Sequence, residues 1–283
     1  MASMRSTRRS KSILSMGLGL MLMSLSSYVS GQIGAWRGAN TISTSAETAS
    51  SLNKRFDLKF DLPEPASPGE RKTLWATYYY VYGDVRSVPD GQPLLNLSGD
   101  RLGPLLSVRD WCLGAIEGTI RVVDSNGHAE VYNYAGRGDS VQVDCSGVIH
   151  SPSINLNATG SSRYRIATGP FGDGVPGMIL VPYRTIAADT TVIPIGTVIY
   201  IPAARGMEII LPSGRKTKHD GYFYVADVGG AIKGNHIDVF GGILSSNPFP
   251  NFIKNKSSQT FEAFVIADSR ITERLKRLHT LSQ

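Results

Sequence analysis

From Lys72 onward, the sequence is divided into short runs of β-branched and aromatic residues, separated by glycine, asparagine and aspartate. This pattern favours β-strands joined by tight turns. The sequences at 124–127 and 136–139 are typical of hairpin turns. We predict strands at 74–82, 119–123, 130–134, 141–143, 178–181, 197–202, 207–211, 222–226, 236–240 and 262–266. The chain is therefore expected to be an all-β protein.

The first 31 residues have the layout of a secretory signal peptide. Basic residues precede an apolar run at 13–25, which is shorter than the roughly 20 residues that a membrane span needs. We expect cleavage after Gly31, export to the periplasm or the extracellular space, and no stable membrane anchor. Loss of this segment lowers the formal net charge from +6 to about +2. Since no basic stripe with interleaved aromatics is present, a nucleic-acid partner is not expected.

Composition also indicates how the remaining chain is organised. Residues 32–71 are rich in serine, threonine, alanine and proline, which is typical of a linker or a wrapping arm. Near the C-terminus, apolar residues at Ile271, Leu275 and Leu278 have helical spacing, and basic residues follow late in the run. We predict one helix there, over 271–283.

The segment 222–242 combines two aspartates with several glycines. Asp227 is expected to end a strand, Gly229 and Gly230 to form a turn with positive φ, and Asp238 to lie in the next strand. The turn would bring the two carboxylates back toward each other. The residues alone leave open that both are turn aspartates bonded to their own backbone amides.

Residues 225–240, VADVGGAIKGNHIDVF, resemble the signature of the three-aspartate (3D) domain and of the C-terminal part of membrane-bound lytic transglycosylase A. The sequence YRTIAADTTVIPIGTVIYIP at 183–202 is similar to another strand of that family and supplies Asp189 as the third aspartate. LWATYYY at 74–80 resembles the family's opening strand. Val228 and Thr190 depart from the pattern, because the family usually has threonine and proline there.

The resemblance implies a double-psi β-barrel built from residues 72–82 and 161–270. A second β-rich domain, residues 83–160, would be inserted after the first barrel strand. The implied activity is cleavage of the MurNAc–GlcNAc β-1,4 bond of peptidoglycan glycan strands, with formation of a 1,6-anhydro product. We expect a monomer that needs no cofactor. The histidine and cysteine spacing indicates no metal site.

The resemblance also assigns residues to roles. Asp238 would be the catalytic acid/base, supported by Asp227 and Asp189. Three aspartates converging on one cleft would raise the pKa of one of them by charge repulsion. His236, two residues before Asp238, should share its strand face. The substrate-binding candidates are Thr77, Tyr78, Lys233, Gly229 and Gly230.

Two alternatives remain open at this stage. The sequence Asp144-Cys145-Ser146-Gly147 resembles the nucleophile box of NlpC-type cysteine peptidases, in which Cys145 would be the nucleophile. Against this stands a disulfide between Cys112 and Cys145, the usual state of a single cysteine pair in an exported protein. The second alternative is a non-catalytic glycan-binding barrel, since a fold alone does not provide an activity.

Overall fold

A computed structural model describes residues 58–67 and 69–280. The signal peptide expected at 1–31 lies outside the described residues. The described residues form fourteen β-strands: β1 Arg71–Tyr79, β2 Tyr82–Val85, β3 Gln92–Leu95, β4 Arg101–Leu106, β5 Thr119–Val123, β6 Ala129–Arg137, β7 Ser162–Ile166, β8 Thr185–Ala188, β9 Val198–Tyr200, β10 Glu208–Ile210, β11 Lys216–Lys218, β12 Tyr222–Asp227, β13 His236–Phe240 and β14 Phe261–Ile266. The helices are α1 Val108–Glu117, α2 Leu156–Gly160 and α3 Ser269–His279, and a 3₁₀ turn covers Pro202–Ala204. The predominance of strands confirms the predicted all-β class.

Six strands close into a barrel in the order β1-β13-β8-β12-β9-β14. Strands β1 and β13 run parallel, as do β8 and β12, and the other four pairings are antiparallel. This closed barrel of two parallel pairs confirms the double-psi β-barrel. Its interior is filled by alternate residues of the strands, among them Ala76, Ile186, Phe223, Ile237 and Val239, as the period of two in a strand requires.

The second β-rich part begins as soon as β1 ends. Strands β2, β5, β6 and β7 form one sheet, and β3 and β4 form a hairpin. Helix α1 joins β4 to β5, and Trp111 and Cys112 of α1 pack in the separate core of this sheet. Strand β7, which the sequence analysis assigned to the barrel, pairs with β6 instead. The strands of the second β-rich part therefore run from Tyr82 to Ile166, and β10 and β11 form a separate hairpin.

Helix α1 is an element that the strand-and-turn pattern did not predict. The Ser107 side chain accepts a hydrogen bond from the Asp110 amide at its start, and Gly118 ends it with a φ of 77°. Both capping residues are visible in the sequence. The helix was missed because its ten residues lie between two strand-rich segments.

Several local predictions need correction. No strand forms at 178–181, where Ile179 makes only an isolated bridge to Asp173, and the barrel strand β8 lies at Thr185–Ala188 instead. Residues 136–139 do not form a hairpin turn, because Gly136 and Arg137 still belong to β6 and pair with β7. Positive φ after Asp227 occurs at Gly234, with φ 63°, and at neither Gly229 nor Gly230. A Cβ on Gly229 would lie 2.5 Å from Ile232 Cγ1, so Gly229 is small because a side chain packs against it. Residues 141–143 form no strand.

The described part of the N-terminal arm lies on the barrel. Leu58 is buried in the barrel core, and the Leu62 amide donates a hydrogen bond to Asp220 Oδ2 at 3.1 Å. Asp220 in turn forms a buried ion pair with Arg184, with an Nη1–Oδ1 distance of 2.6 Å. The arm is thus fixed to the barrel by burial of Leu58 and by the hydrogen bond from Leu62 to the ion-paired Asp220.

The C-terminal helix covers the outside of the barrel. Helix α3 begins at Ser269, after an Asp268 side chain that accepts from the Arg270 and Ile271 amides. Ile271 and Leu275 pack on Tyr222 and Tyr224 of the barrel wall. The predicted helix is therefore present, two residues earlier than expected, and 281–283 lie outside the described residues. Within residues 58–67 and 69–280, no helix has the length and apolarity to cross a bilayer.

Candidate active site

Four residues on neighbouring barrel strands stand side by side on the outer face of the barrel. Thr77 of β1 is the register partner of Asp238 of β13, and Asp238 is the partner of Ala187 of β8. On the other side of β8, Ala187 is paired with Asp227 of β12. Directly opposed residues project from the same face of a sheet. The row therefore presents two carboxyl groups with only a methyl side chain between them.

A β-bulge at the end of β12 decides the direction of Asp227. Phe223 and Val225 point into the barrel, and strict alternation would send Asp227 inside as well. The register with β8 shifts between Val225 and Asp227, and this extra residue turns Asp227 to the outer face. The Ala226 carbonyl in the bulge accepts a hydrogen bond from the Val175 amide at 2.9 Å. The bulge thus leaves no unpaired carbonyl there.

Asp238 is a carboxyl group that is largely surrounded by protein yet partly exposed at the outer face. Its Oδ1 accepts a hydrogen bond from Thr77 Oγ1 at 2.6 Å. The pKa of Asp238 is raised to about 7, mainly by burial and to a smaller extent by the charge of Asp227, against the opposing effect of the Thr77 hydrogen bond. Asp238 can therefore be protonated or ionised near neutral pH.

Asp227 has a different environment from Asp238. The Tyr79 hydroxyl donates to Asp227 Oδ2 at 2.7 Å, and the Val228 amide donates to Oδ1 at 2.8 Å. Burial raises the pKa of Asp227 to about 6, and these two hydrogen bonds limit the rise. Asp227 is thus the more acidic member of the pair and ionises first as the pH increases.

Glu117 is a third carboxyl group near this pair, and sequence analysis did not identify it. It ends helix α1, and its Oε2 accepts a hydrogen bond from the Tyr80 amide at 3.4 Å. Burial raises the pKa of Glu117 to about 8, and the charge of Asp238 contributes to this rise. Glu117 of the second β-rich part and Asp238 of the barrel are therefore close enough for the charge of Asp238 to affect Glu117. Glu117 is neutral at pH 7.

His236 lies on the same face as Asp238, as its position two residues earlier predicts. Its Nε2 lies 2.9 Å from Thr77 Oγ1. The imidazole stacks on Trp75 with a centroid separation of 3.6 Å and an interplanar angle of 6°. Burial lowers the pKa of His236 to about 4. The ring is therefore neutral at physiological pH.

Asp189 is not brought into this pair. Its Oδ2 accepts from the Gly234 amide at 2.8 Å, and its Oδ1 accepts from the amide and the hydroxyl of Thr191 at 3.0 and 2.7 Å. These hydrogen bonds, with that to Gly234 the strongest, lower the pKa of Asp189 to about 2. Asp189 is therefore an ionised residue that ties the end of β8 to the turn before β13, and its expected role beside Asp238 stays a prediction.

Comparison with known families now bears on this site. Residues 184–247 match the family model of the 3D domain. The chain contains a 3D domain. No curated protein sequence matches the chain at a significant level.

Several solved structures resemble the chain at low sequence identity. MltA from E. coli with bound chitohexaose is 16% identical, with 68% of this chain and 71% of that chain covered and a TM-score of 0.45. A membrane-bound lytic murein transglycosylase from Agrobacterium tumefaciens is 14% identical, with 88% and 93% covered and a TM-score of 0.45. The lytic transglycosylase LtgG of Burkholderia pseudomallei is 18% identical, with 69% and 71% covered and a TM-score of 0.34.

The 3D domain supplies only part of the site. Asp227 and Asp238 lie within its matched residues, whereas Thr77, Tyr79 and Glu117 lie outside them. Thr77 and Tyr79 come from β1, which closes the barrel against β13. The barrel therefore completes the site with residues that precede the 3D domain by more than one hundred positions.

The remaining predicted substrate-binding residues lie in the barrel core or in the segment that follows Asp227. Tyr78 is 3% exposed and points into the barrel core, where its hydroxyl donates to the Ser245 carbonyl. The expectation that Tyr78 contacts substrate is therefore wrong, because alternation places Thr77 and Tyr79 outside and Tyr78 inside. Lys233 is exposed in the turn, and Gly229 and Gly230 lie in the segment that follows Asp227.

Cys112 and Cys145 form a disulfide in the second β-rich part, and both are buried. Neither thiol is free, so the alternative of a Cys145 nucleophile lacks the thiolate it requires. Among residues 58–67 and 69–280, no group of three or more histidine, cysteine, aspartate or glutamate side chains is arranged to hold a metal ion.

Proposed function

We propose that this chain is an exported lytic transglycosylase, which cuts the β-1,4 bond between MurNAc and GlcNAc in peptidoglycan glycan strands. The observation that carries the proposal is the carboxyl of Asp238, whose pKa burial raises to about 7 at a partly exposed face of the barrel. Glycoside cleavage needs an acid that keeps its proton near neutral pH. The resemblance of residues 225–240 to the transglycosylase signature supports the choice of substrate.

In the first step, protonated Asp238 donates its proton to the glycosidic oxygen. The bond from this oxygen to the anomeric carbon of the muramoyl sugar breaks, and positive charge develops on that carbon.

In the second step, the ionised Asp238 acts as a base. It takes the proton from the C6 hydroxyl of the same muramoyl sugar, and the oxygen forms a bond to the anomeric carbon. The product is a 1,6-anhydro ring, and Asp238 regains its proton. A single residue therefore performs both proton transfers, and no water molecule is consumed.

The neighbouring carboxyl groups have separate roles. Asp227 ionises before Asp238, because its pKa is about 6. Its negative charge stabilises the positive charge on the sugar and favours the protonated form of Asp238. Neutral Glu117 can donate a hydrogen bond from the second β-rich part. The pair of aspartates titrates as a coupled unit between pH 6 and 7.

The proposal is tested by digestion of purified peptidoglycan. We expect the protein to release 1,6-anhydromuropeptides, identified by mass spectrometry, and Asp238→Asn to lose activity by about three orders of magnitude. Asp90→Asn removes an exposed loop carboxylate and serves as the matched control with full activity. Glycan binding without product would instead support a non-catalytic barrel, and reducing-end products without anhydro rings would support hydrolysis.

A further inference from the structure

His236 is a buried histidine beside Asp238 to which the two proton transfers assign no role. It is 6% exposed, and it is the register partner of Trp75 in the parallel pair of β1 and β13. The imidazole lies flat on the Trp75 ring, at a centroid distance of 3.6 Å. This stacking fixes the plane of the imidazole, so that Nε2 points at Thr77.

The Thr77 hydroxyl has one hydrogen and two neighbours that can accept it. Oγ1 lies 2.6 Å from Asp238 Oδ1 and 2.9 Å from His236 Nε2. The backbone carbonyl of Ala231 accepts a hydrogen bond from the same imidazole. Because a neutral imidazole carries one N–H, the carbonyl selects the tautomer with the hydrogen on Nδ1. Nε2 is then an acceptor, and it competes with Asp238 for the Thr77 hydrogen.

We propose that His236 is a positioning residue that acts through the Thr77 hydroxyl to favour the protonated form of Asp238. This inference rests on the role proposed for Asp238 in glycan cleavage. His236 itself touches neither the substrate nor the transferred proton.

The hydrogen bonds among Asp238, Thr77 and His236 differ between the two charge states of Asp238. When Asp238 carries its proton on Oδ1, it donates to Thr77 Oγ1, and Thr77 donates to His236 Nε2, so every polar atom has a partner. When Asp238 is ionised, Thr77 turns its hydrogen to Oδ1, and Nε2 is left facing an oxygen lone pair. A buried acceptor without a donor is unfavourable. The neutral imidazole therefore opposes ionisation of Asp238.

Other titratable groups also act on Asp238, and they are unchanged in the tests below. Asp227 on β12 and Glu117 on α1 both affect the Asp238 pKa or are affected by its charge. Tyr79 on β1 bonds Asp227, and its own pKa is raised well above the ordinary value, first by burial. These groups act on Asp238 by charge and not through Thr77. Removal of the Thr77 hydroxyl therefore separates their effect from that of His236.

The experiment measures the Asp238 carboxyl directly. ¹³C-labelled aspartate is titrated by NMR, with Asp238→Asn to assign the signal, in the wild type, His236→Phe, Thr77→Val and the double variant. Phenylalanine keeps a ring for Trp75 and lacks the nitrogen. We expect His236→Phe to lower the Asp238 pKa by at least about 0.5 units, since it removes the competing acceptor. Thr77→Val should raise the pKa, because the hydroxyl stabilises the carboxylate.

The double variant decides whether His236 acts through Thr77. We expect it to titrate as Thr77→Val does, with no further effect of His236→Phe. An unchanged pKa in His236→Phe, or an equal shift with and without the Thr77 hydroxyl, overturns the inference. His150→Phe, at an exposed histidine, is the matched control.

Two further measurements test the inference independently of whether the variant folds and of whether the proposed function is correct. ¹⁵N NMR of the wild-type imidazole reports its tautomer, and a hydrogen on Nε2 overturns the inference even if His236→Phe does not fold. The carboxyl titration needs no substrate, so an inactive protein that shows the expected shifts contradicts only the proposed function. In an active protein, the alkaline limb of kcat/KM should move with the Asp238 pKa.

Discussion

Asp227 and Asp238 are paired, from opposite sides, with the same residue, Ala187 of the central strand β8. Two strand spacings place their Cα atoms about 10 Å apart. The methyl group of Ala187, which is 3% exposed, is therefore the only side chain of β8 that separates the two carboxyl groups in this row.

The rate of glycan cleavage should depend on pH in a defined way. Asp238 must be protonated and Asp227 ionised, and their pKa values are about 7 and about 6. We therefore expect kcat/KM to be highest between about pH 6 and 7, to fall as the pH rises above 7 and to fall again below 6. Initial rates from pH 4.5 to 9 measure this, with circular dichroism to verify folding. A rate that stays constant up to pH 9 contradicts the role of Asp238.

Asp238→Asn should stabilise the protein at high pH while it removes activity. The folded-state pKa of Asp238 is raised from 3.8 to about 7. Below pH 3.8 the carboxyl group is neutral in both states and has no effect. Between pH 3.8 and 7 the unfolded state ionises while the folded state keeps its proton, so stability falls as the pH rises, and the loss is complete above pH 7. Asparagine stays neutral, so we expect a gain in unfolding free energy of roughly 4 kcal/mol at pH 8 and none at pH 3.5. Urea titrations at both pH values measure the difference, and an equal effect at both would show that ionisation is not its cause.

Glu117 should act as a neutral group. Since burial raises its pKa to about 8, Glu117→Gln preserves its state at pH 6.5, and we expect activity within about threefold of the wild type. Glu117→Ala removes the hydrogen-bonding group and should cost about tenfold or more in kcat/KM. The two variants are compared in the same peptidoglycan assay. Equal losses in both would indicate that the carboxyl group itself is required.

Asp189→Asn should affect stability more than catalysis. The carboxylate holds the Gly234 and Thr191 amides, and asparagine retains one acceptor but loses the charge. We expect a lower melting temperature, with activity within about tenfold of the wild type at 25 °C. Its pKa of about 2 means that this contribution is present above the ordinary aspartate pKa and is lost as the pH falls toward 2. A loss of activity as large as that in Asp238→Asn would place Asp189 in the chemistry after all.

Removal of the disulfide should destabilise the second β-rich part without removing glycan cleavage. Cys112 and Cys145 are 33 residues apart, a loop for which a cross-link contributes on the order of 3 kcal/mol. The double substitution Cys112→Ser/Cys145→Ser should lose about this amount in urea unfolding. At 25 °C the folded fraction should still release anhydromuropeptides, because no thiol takes part in the reaction. Complete loss of activity in a folded variant would count against the aspartate mechanism.

The local sequence was sufficient for most barrel strands but not for β8, Thr185–Ala188, which the strand pattern did not predict. The choice of Asp238 came from the family resemblance and stays a prediction. Strand β13 begins and ends where alternation and the neighbouring glycine predict, at His236–Phe240. The disposition of Thr77 outside and Ala76 inside also follows from a period of two. The error at Tyr78 came from the resemblance, which includes a run of tyrosines but does not show which of them points to the outer face of the barrel.

The sequence determined most of the strands, the C-terminal helix and the acidic residues, because these depend on neighbours a few positions apart. Only the tertiary structure decided which acids meet. A single bulge turned Asp227 to the outer face, closure of the barrel placed Thr77 beside Asp238, and packing of α1 brought Glu117 to the Tyr80 amide and within range of the Asp238 charge. These relationships join residues more than thirty positions apart, and burial there, rather than residue type, sets each carboxyl pKa.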